Sequence, residues 1–303
     1  MSRKQIAIIT IIIILFIISV ALLYKWFIMK YTLKNDIISY DYFIKQINIV
    51  NPTTRFMNYG LWDKEHDTLS KATNNLINFI YDKADLDQGI RNILDVGCGY
   101  GQQDIELIKK VNNGSKITAV DISEKQINWA KKNYNKNNIK FETGDAMKID
   151  EQYIQSSFDN IFSIESAFHY DKRPKFFKNV NYLLKDTGTF IISDLALKKD
   201  YNKMGILMSI FIKIFSDFFH IPKQNLISTN EWIKQLSNEL KIVKTIDITD
   251  KTFKPHYRHF LQIYLKKINV PVFFRNFIVK IFTSIQPFTY TVAICKKKIQ
   301  SSK

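Results

Sequence analysis

Cysteine, proline and glycine are all sparse in this chain of 303 residues, which holds two, six and nine of them respectively. The cysteines, Cys98 and Cys295, are too few for a disulfide framework and show no metal-ligand spacing. A thiolate metal centre is therefore not expected, and both read as reduced thiols of a cytosolic compartment. No internal repeat and no low-complexity linker interrupts the sequence. Acids are short too: 28 Asp and Glu stand against 44 Lys and Arg, a net charge of +16. A basic surface suits anionic lipid or nucleic acid. Here the lysines are scattered through a chain also rich in Ile and Asn, and no dense Lys/Arg block alternates with aromatics, so a nucleic-acid partner is not expected. The apolar share, 46%, is ample for a core, and the length suits one large domain with appendages or two small ones.

What the chain does have begins with Ile6 to Leu23, an almost unbroken apolar run interrupted only by Thr10 and Ser19. It is long enough to cross a bilayer core as a helix. Tyr24 and Trp26 follow where interfacial aromatics belong. A cleaved signal peptide is the competing reading, but the run exceeds the usual h-region and no obvious mature start follows Ser19 and Ala21. Residues 1–30 are therefore expected to be an uncleaved, single-pass anchor. Residues 31–90 read as a helical cap or flap, and 91–303 as the main domain.

The organising stretch is Ile93-Leu94-Asp95-Val96-Gly97-Cys98-Gly99-Tyr100-Gly101. An apolar strand, Asn92 to Val96, ends in a glycine-spaced turn and is followed by a helical pattern from Gln102 to Lys110. Such a strand–turn–helix unit cradles a nucleotide-like ligand at the carboxyl end of a parallel sheet. The spacing departs from G-x-G-x-x-G, because Gly101 comes one place early. Asp95 would repel a pyrophosphate and attract a cation, such as the amino group or sulfonium of S-adenosylmethionine (SAM).

Downstream, strands at Lys116–Asp121, Ile139–Thr143, Phe158–Ile164 and Thr189–Ser193 alternate with helical patterns at Ser123–Asn133 and Arg173–Leu184. Asp186-Thr187-Gly188 reads as a turn, and Leu240–Ile246 and Thr289–Cys295 complete the strands. The alternation means a parallel sheet covered on both faces. Asp121, twenty residues after Gly101, can accept from both ribose hydroxyls, and Asp145 beside Ala146 can accept from an adenine amino group.

Taken together, Asp95-x-Gly97-x-Gly99-x-Gly101, Val120-Asp121-Ile122-Ser123, Gly144-Asp145-Ala146, Phe158-Asp159-Asn160-Ile161 and Leu183-Leu184-Lys185-Asp186-Thr187-Gly188 resemble the successive motifs of class I SAM-dependent methyltransferases. The resemblance spans about 41–296 and is nearest the subgroup that methylates small molecules. Where that family has a proline-rich turn, this chain has Lys185 to Gly188. The resemblance implies an α/β fold with a seven-stranded, mostly parallel, doubly wound sheet whose last strand is antiparallel. It implies SAM as cofactor, held by Asp95, Gly97, Cys98, Gly99, Gly101, Asp121, Ile122, Gln126, Asp145, Ala146 and Ile164, and no metal. The segment Asn58-Tyr59-Gly60-Leu61-Trp62 is similar to one that precedes the first motif in the family and brings an aromatic, here Tyr59, to the methionine part of SAM. Plain helix packing is the alternative for these aromatics. Because SAM is a cytosolic metabolite, the catalytic domain is expected to face the cytoplasm.

Methyl transfer needs an aligned nucleophile and, for a hydroxyl, a base. Glu165 and His169 are four residues apart, so on a helical turn they would share a face and the carboxylate would orient the imidazole. His66, His220, His256 and His259 have weaker claims, with His256-Tyr257-Arg258-His259 read as a solvated loop and lining of the substrate pocket as the alternative. Two insertions, at about 198–235 and 254–287, carry greasy helices. Met204–Phe219 has a narrow polar stripe of Ser209, Lys213 and Ser216, and in Pro271–Phe288 Arg275, Asn276, Lys280 and Ser284 oppose Phe273, Phe274, Phe277, Ile278 and Ile281. Both are read as lids, the second also as a helix suited to a membrane interface. The expected activity is methylation of a small hydrophobic or lipid-like acceptor by a membrane-anchored enzyme, most readily on oxygen. N- or C-methylation of a lipid headgroup, amine or quinone is the first alternative, and a non-catalytic cofactor- or lipid-binding scaffold the second. The acceptor's identity and the oligomeric state are not legible.

Overall fold

In the computed structural model the described residues are 55–63, 67–84, 86, 89–267 and 269–299. The expected anchor, the first part of the expected cap and His66 lie outside them. Seven strands form one sheet: β1 (Asn92–Val96), β2 (Lys116–Asp121), β3 (Ile139–Thr143), β4 (Phe158–Ile164), β5 (Leu184–Leu197), β6 (Leu240–Asp247) and β7 (Phe288–Lys297). Their order is β3-β2-β1-β4-β5-β7-β6, with β7 antiparallel to both neighbours and the pairs from β3 to β5 parallel. This is the sheet the resemblance implied. The chain winds outward from β1 to β3 and then returns to β4, so the strand order reverses between β1 and β4. A crevice opens there, beyond the carboxyl ends of the strands.

Helices cover both faces, which is why the central strands are apolar on successive residues rather than alternate ones. Ile93, Phe162 and Ile191 point into one layer with Leu76 and Ile80 of α1 (Leu69–Tyr81). Leu94, Ile161 and Ile192 point into the other, against Phe176 and Val180 of α5 (Arg173–Leu183) and Trp232 of α7 (Thr229–Glu239). Between these lie α2 (Gln102–Leu107), α3 (Glu124–Asn133), the single turn α4 (Ile149–Gln152) and α6 (Ile206–Phe218). After β6 come α8 (Phe253–Lys267) and α9 (Val272–Ser284). Local chemistry sets several ends: Thr68 and Ser123 accept backbone N–H bonds as N-caps of α1 and α3, and Pro174 sits in the first turn of α5.

Three expectations need correction. Residues 55–63 and 67–68 are not helical. Gly60 sits at φ +76°, and the backbone N–H groups of Tyr59, Leu61 and Trp62 bond to Glu165, Ala72 and Lys251 instead of to a helix. The helix after the glycine turn ends at Leu107, not Lys110. The Asp186-Thr187-Gly188 turn is absorbed into β5 as a bulge: pairing jumps from Phe158↔Leu184 to Asn160↔Thr189, so Lys185 to Gly188 leave the ladder. In α6 the residues of the polar stripe differ in burial: Lys213 is exposed and pairs with Asp217, Ser216 is buried, and Ile206, Leu207 and Ile210 are exposed. Among the described residues no helix is long and apolar enough to cross a membrane.

Candidate functional site

The crevice is built on the glycine turn. The N–H groups of Gly97 and Cys98 both reach the Val120 carbonyl, which ties the turn to the end of β2. Gly97 and Gly101 have φ of +86° and +73°, and a Cβ on them would stand 2.3 Å from Ser166 Cβ and 2.3 Å from Phe141 Cε1. The expected reason for the glycines, room for a ligand, is therefore incomplete: here the protein's own side chains occupy that room.

Asp95, Asp121 and Asp145 stand at or just past the ends of the adjacent strands β1, β2 and β3, around one crevice. They are not equivalent. The Asp121 carboxylate accepts from Gly99 N and Ser123 N at 2.9 Å each, one on each oxygen, which fixes it and leaves further lone pairs. Burial raises its pKa, against those two bonds. Asp145 Oδ1 accepts from Met147 N at 2.8 Å and caps a short 3-10 turn that starts at the buried Ala146. Asp95 lies wholly buried beneath the turn, its Oδ2 bonded to the Gln103 amide. Beside it lies Asp104, also wholly buried, and the two carboxyls share a hydrogen bond. Burial pushes both carboxyls well above the usual carboxylate range, and their mutual repulsion keeps Asp104 there.

Two further residues of the expected set are conspicuous. Ile122 is 73% exposed directly after Asp121. Gln126 is buried, yet neither atom of its amide has a partner, and its Oε1 lies near Gly99. Cys98 is a buried free thiol and Ile164 a buried residue at the end of β4. The 55–62 segment lies over the turn: Met57 Cε approaches Gly99, Arg55 N bonds to Gln102 Oε1, and the Arg55 guanidinium stands 5.4 Å from the Trp129 ring centroid. The segment thus packs over the turn as non-helical chain rather than as a packed helix.

Beyond β4 the structure departs from the sequence reading. Glu165 has φ +51°, and only the three residues Ala167–His169 form a 3-10 turn. The i,i+4 face that would join Glu165 to His169 does not exist, and the two are not hydrogen-bonded to each other. Glu165 Oε1 instead accepts from Tyr59 N at 2.8 Å and from Tyr290 Oη at 2.7 Å. Tyr290 also bonds Ser193 Oγ at 3.1 Å. Burial lifts the Glu165 carboxyl to about 8 despite those bonds. His169 points its Nδ1 toward the His220 carbonyl, 3.5 Å away, and burial lowers it to about 4. A backbone carbonyl, not a carboxylate, faces its ring.

Around Glu165 stands an aromatic chamber. The Tyr59 ring meets Phe253, His256 and Tyr257 edge-on at centroid distances of 4.9, 4.8 and 6.1 Å. His256 Nδ1 lies 3.0 Å from the Tyr59 carbonyl, and burial lowers its pKa to about 4. The Tyr59 and Tyr257 hydroxyls are buried and hydrogen-bond each other. His256 and Tyr257 thus lie on a helix that walls the chamber, not on a solvated loop. His259 packs against Trp62, 5.0 Å between centroids. Phe253, Tyr290 and Asp104 carried no sequence signal as site residues, except that an acid three residues before Leu107 falls on the buried side of α2. Among the described residues no group of His, Cys, Asp and Glu could hold a metal ion.

The methyltransferase-domain family profile matches residues 88–244. The O-methyltransferase rstn1 of Aspergillus nomiae is 28% identical over 203 residues, 64% of this chain and 84% of that protein. The 27-O-demethylrifamycin SV methyltransferase of Amycolatopsis mediterranei is 31% identical over 145 residues, 46% of this chain and 52% of that enzyme. Among solved structures, the geranyl diphosphate C-methyltransferase of Streptomyces coelicolor A3(2), in complex with Mg2+, geranyl diphosphate and S-adenosyl-L-homocysteine, superposes with a TM-score of 0.62 at 14% identity. That match covers 84% of this chain and 98% of the other, and is a likeness of fold.

Proposed function

Because the chain belongs to the methyltransferase-domain family and is a SAM-dependent methyltransferase, we propose that it methylates a small hydrophobic acceptor, on oxygen, at a membrane to which residues 6–23 anchor it, its catalytic domain on the cytoplasmic side. Family membership sets the scaffold reading aside. The crevice fits its cofactor: an exposed Ile122 offers an apolar face for a purine, the unpartnered Gln126 amide offers bonds, and Asp121 keeps lone pairs for ribose hydroxyls. Met57, Tyr59, Gly97, Cys98, Gly99, Gly101, Ala146, Asp145 and Ile164 complete the surroundings.

Bound SAM supplies a methyl group already activated on a sulfonium. The protein's share is to aim an acceptor atom and to take up its proton. Glu165 carries this reading: one oxygen is locked by Tyr59 and Tyr290, the residue is held in an uncommon backbone conformation, and the walls around it are aromatic. Its second oxygen is not held by those bonds and is the polar contact offered to an acceptor hydroxyl. His169, neutral at physiological pH, is the candidate proton acceptor. O-methyltransferases among the relatives support oxygen as the methylated atom.

The test is mass spectrometry of lipid extracts incubated with the enzyme and SAM, seeking a product heavier by one methylene together with S-adenosylhomocysteine. No such product from any lipid fraction would overturn the hydrophobic acceptor. The aromatic walls also suit a cationic acceptor, which favours N-methylation as the second reading. Turnover of an amine retained in His169→Ala would select it.

A further inference from the structure

From Lys251 to the end of the sequence there is no Asp or Glu, while Lys254, Arg258, Lys266, Lys267, Arg275 and Lys280 all fall on α8 and α9. The same two helices carry the largest exposed aromatic group among the described residues. On α9 Phe273 is 77% exposed, Phe274 58% and Phe277 52%, with Val272 at 60%. Among the described side chains of α9, Val279 alone is buried. Burial in water-filled surroundings does not explain such a helix. An apolar face of this size, rimmed by cations, marks a docking surface.

We propose that this face of α9, with the basic rim of α8, lies in the headgroup zone of an anionic bilayer. Three observations favour lipid over other occupants. Lys254 pairs with Asp250, but anionic headgroups attract the cations that rim α9 and the end of α8, Lys266, Lys267, Arg275 and Lys280, whereas a second copy docked on the same face would set like charges against like. Three phenylalanines and a valine, with Lys280 able to extend along the helix, have the composition of an interfacial helix. At 13 residues α9 is too short to span a bilayer, so it lies on the membrane.

The placement has a consequence for access. Gln262 Nε2 of α8 bonds Asn276 Oδ1 of α9 at 3.1 Å, and the opposite end of α8 carries Phe253, His256 and Tyr257 against Tyr59. An apolar crevice lined by Phe211, Phe215, Phe253, Tyr257 and Phe288 opens where α6, α8 and β7 meet. Phe253 and Tyr257 therefore face both this crevice and the chamber. A bilayer under α9 brings hydrocarbon beside the chamber wall, which is the route a lipophilic acceptor needs. This contact is additional to the proposed anchor and does not rest on it.

The full chain tests it. Cys98 and Cys295 are buried, so Phe273→Cys gives one accessible thiol for an environment-sensitive fluorophore, with Lys131→Cys on α3 as the solvent control. On vesicles of phosphatidylcholine and phosphatidylglycerol, with lipids spin-labelled just below the headgroup, the label at 273 shifts to the blue and is quenched about two-fold, as an inserted interfacial side chain is. The label at 131 is unaffected. Adding Lys266→Glu and Lys280→Glu reduces the quenching. An unquenched label at 273 on protein that sediments with the vesicles overturns the inference and leaves the anchor standing. A blue shift that grows with protein concentration in the absence of lipid also overturns it, in favour of a second copy. Quenching retained on protein that alkaline carbonate strips from the vesicles supports the inference and removes the anchor.

Discussion

At the scale of single residues, the crevice stores negative charge in an uncommon form. Asp95 and Asp104 are both wholly buried, and two adjacent carboxyls in such a place do not both ionise. Tyr81, Cys98 and Asp121 also face the pair without bringing a positive charge to it. The pair therefore keeps a proton in the free protein near neutral pH, and a cationic ligand above it expels that proton. Calorimetry of SAM binding near pH 6.5, in two buffers of different ionisation enthalpy, should count about one proton released. Asp104→Asn removes the competing acid and supplies an amide donor. It should tighten binding about three- to ten-fold at that pH, flatten the pH dependence and abolish the release, since one unit of pKa corresponds to a factor of ten in such a coupled equilibrium. Equal proton counts in both proteins would refute the shared proton. Glu165→Gln keeps the acceptor oxygen for Tyr59 and Tyr290 but cannot ionise. Turnover should fall about 100-fold with SAM affinity unchanged, the range of a lost proton-transfer or charge contact, and a steady-state assay beside the calorimetry separates the two.

At the scale of elements, the central strands were legible because β1, β4 and β5 are apolar on successive residues, as burial on both faces requires, whereas the edge strands β3 and β6 showed only as short β-rich runs with polar positions left exposed. The Asp95–Gly101 turn and the acids at 121 and 145 followed, since a parallel sheet brings strand ends together whatever the helices do. The chamber was not legible. Tyr59, Glu165, Tyr257 and Tyr290 meet through tertiary packing across more than 200 positions of sequence. The Glu165–His169 spacing misled because periodicity assumes a helix, and φ +51° at Glu165 prevents one. A second cross-element contact escaped notice for the same reason: Asp194 of β5 accepts from Arg173 of α5 at 3.1 Å and from Trp232 Nε1 of α7 at 2.8 Å, all fully or nearly fully buried. Asp194→Ala strands the Arg173 charge and should cost about 3–5 kcal/mol in urea denaturation, as broken buried pairs do. Asp194→Asn, which still accepts from Trp232, should cost less. Gly101→Ala, forced to φ +73° with its Cβ against Phe141, should destabilise by about 2 kcal/mol or more through strain and displaced packing, read by the same denaturation curves.

For the whole molecule, these buried groups impose a pH profile on stability whose sign can be worked out. Glu165 titrates near 4.5 when unfolded and at about 8 when folded. Between those values the folded chain holds the extra proton, so the stabilisation present below pH 4.5 is lost as the pH rises through 8. Asp95, Asp104, Asp121 and Asp194 act in the same direction. His169 and His256 act in the opposite one: lowered from 6.5 to about 4, they favour the folded state above pH 6.5 and withdraw that support as the pH falls through 4. The two sets oppose each other between pH 4.5 and 6.5, where the two histidines lessen, without cancelling, the fall in melting temperature that the carboxyls impose on the cofactor-free protein. Above 6.5 the histidines are neutral in both states and only the carboxyls still titrate. There the melting temperature should fall by about 2–5 °C per pH unit, from at most 1.4 kcal/mol per titrating group and the size of the fold. Glu165→Gln should shrink the fall toward pH 8.5, and saturating SAM should shrink it too by binding the ionised crevice. A melting temperature that rises from pH 6.5 to 8.5 without cofactor would mean that the buried carboxyls are ionised in the folded protein.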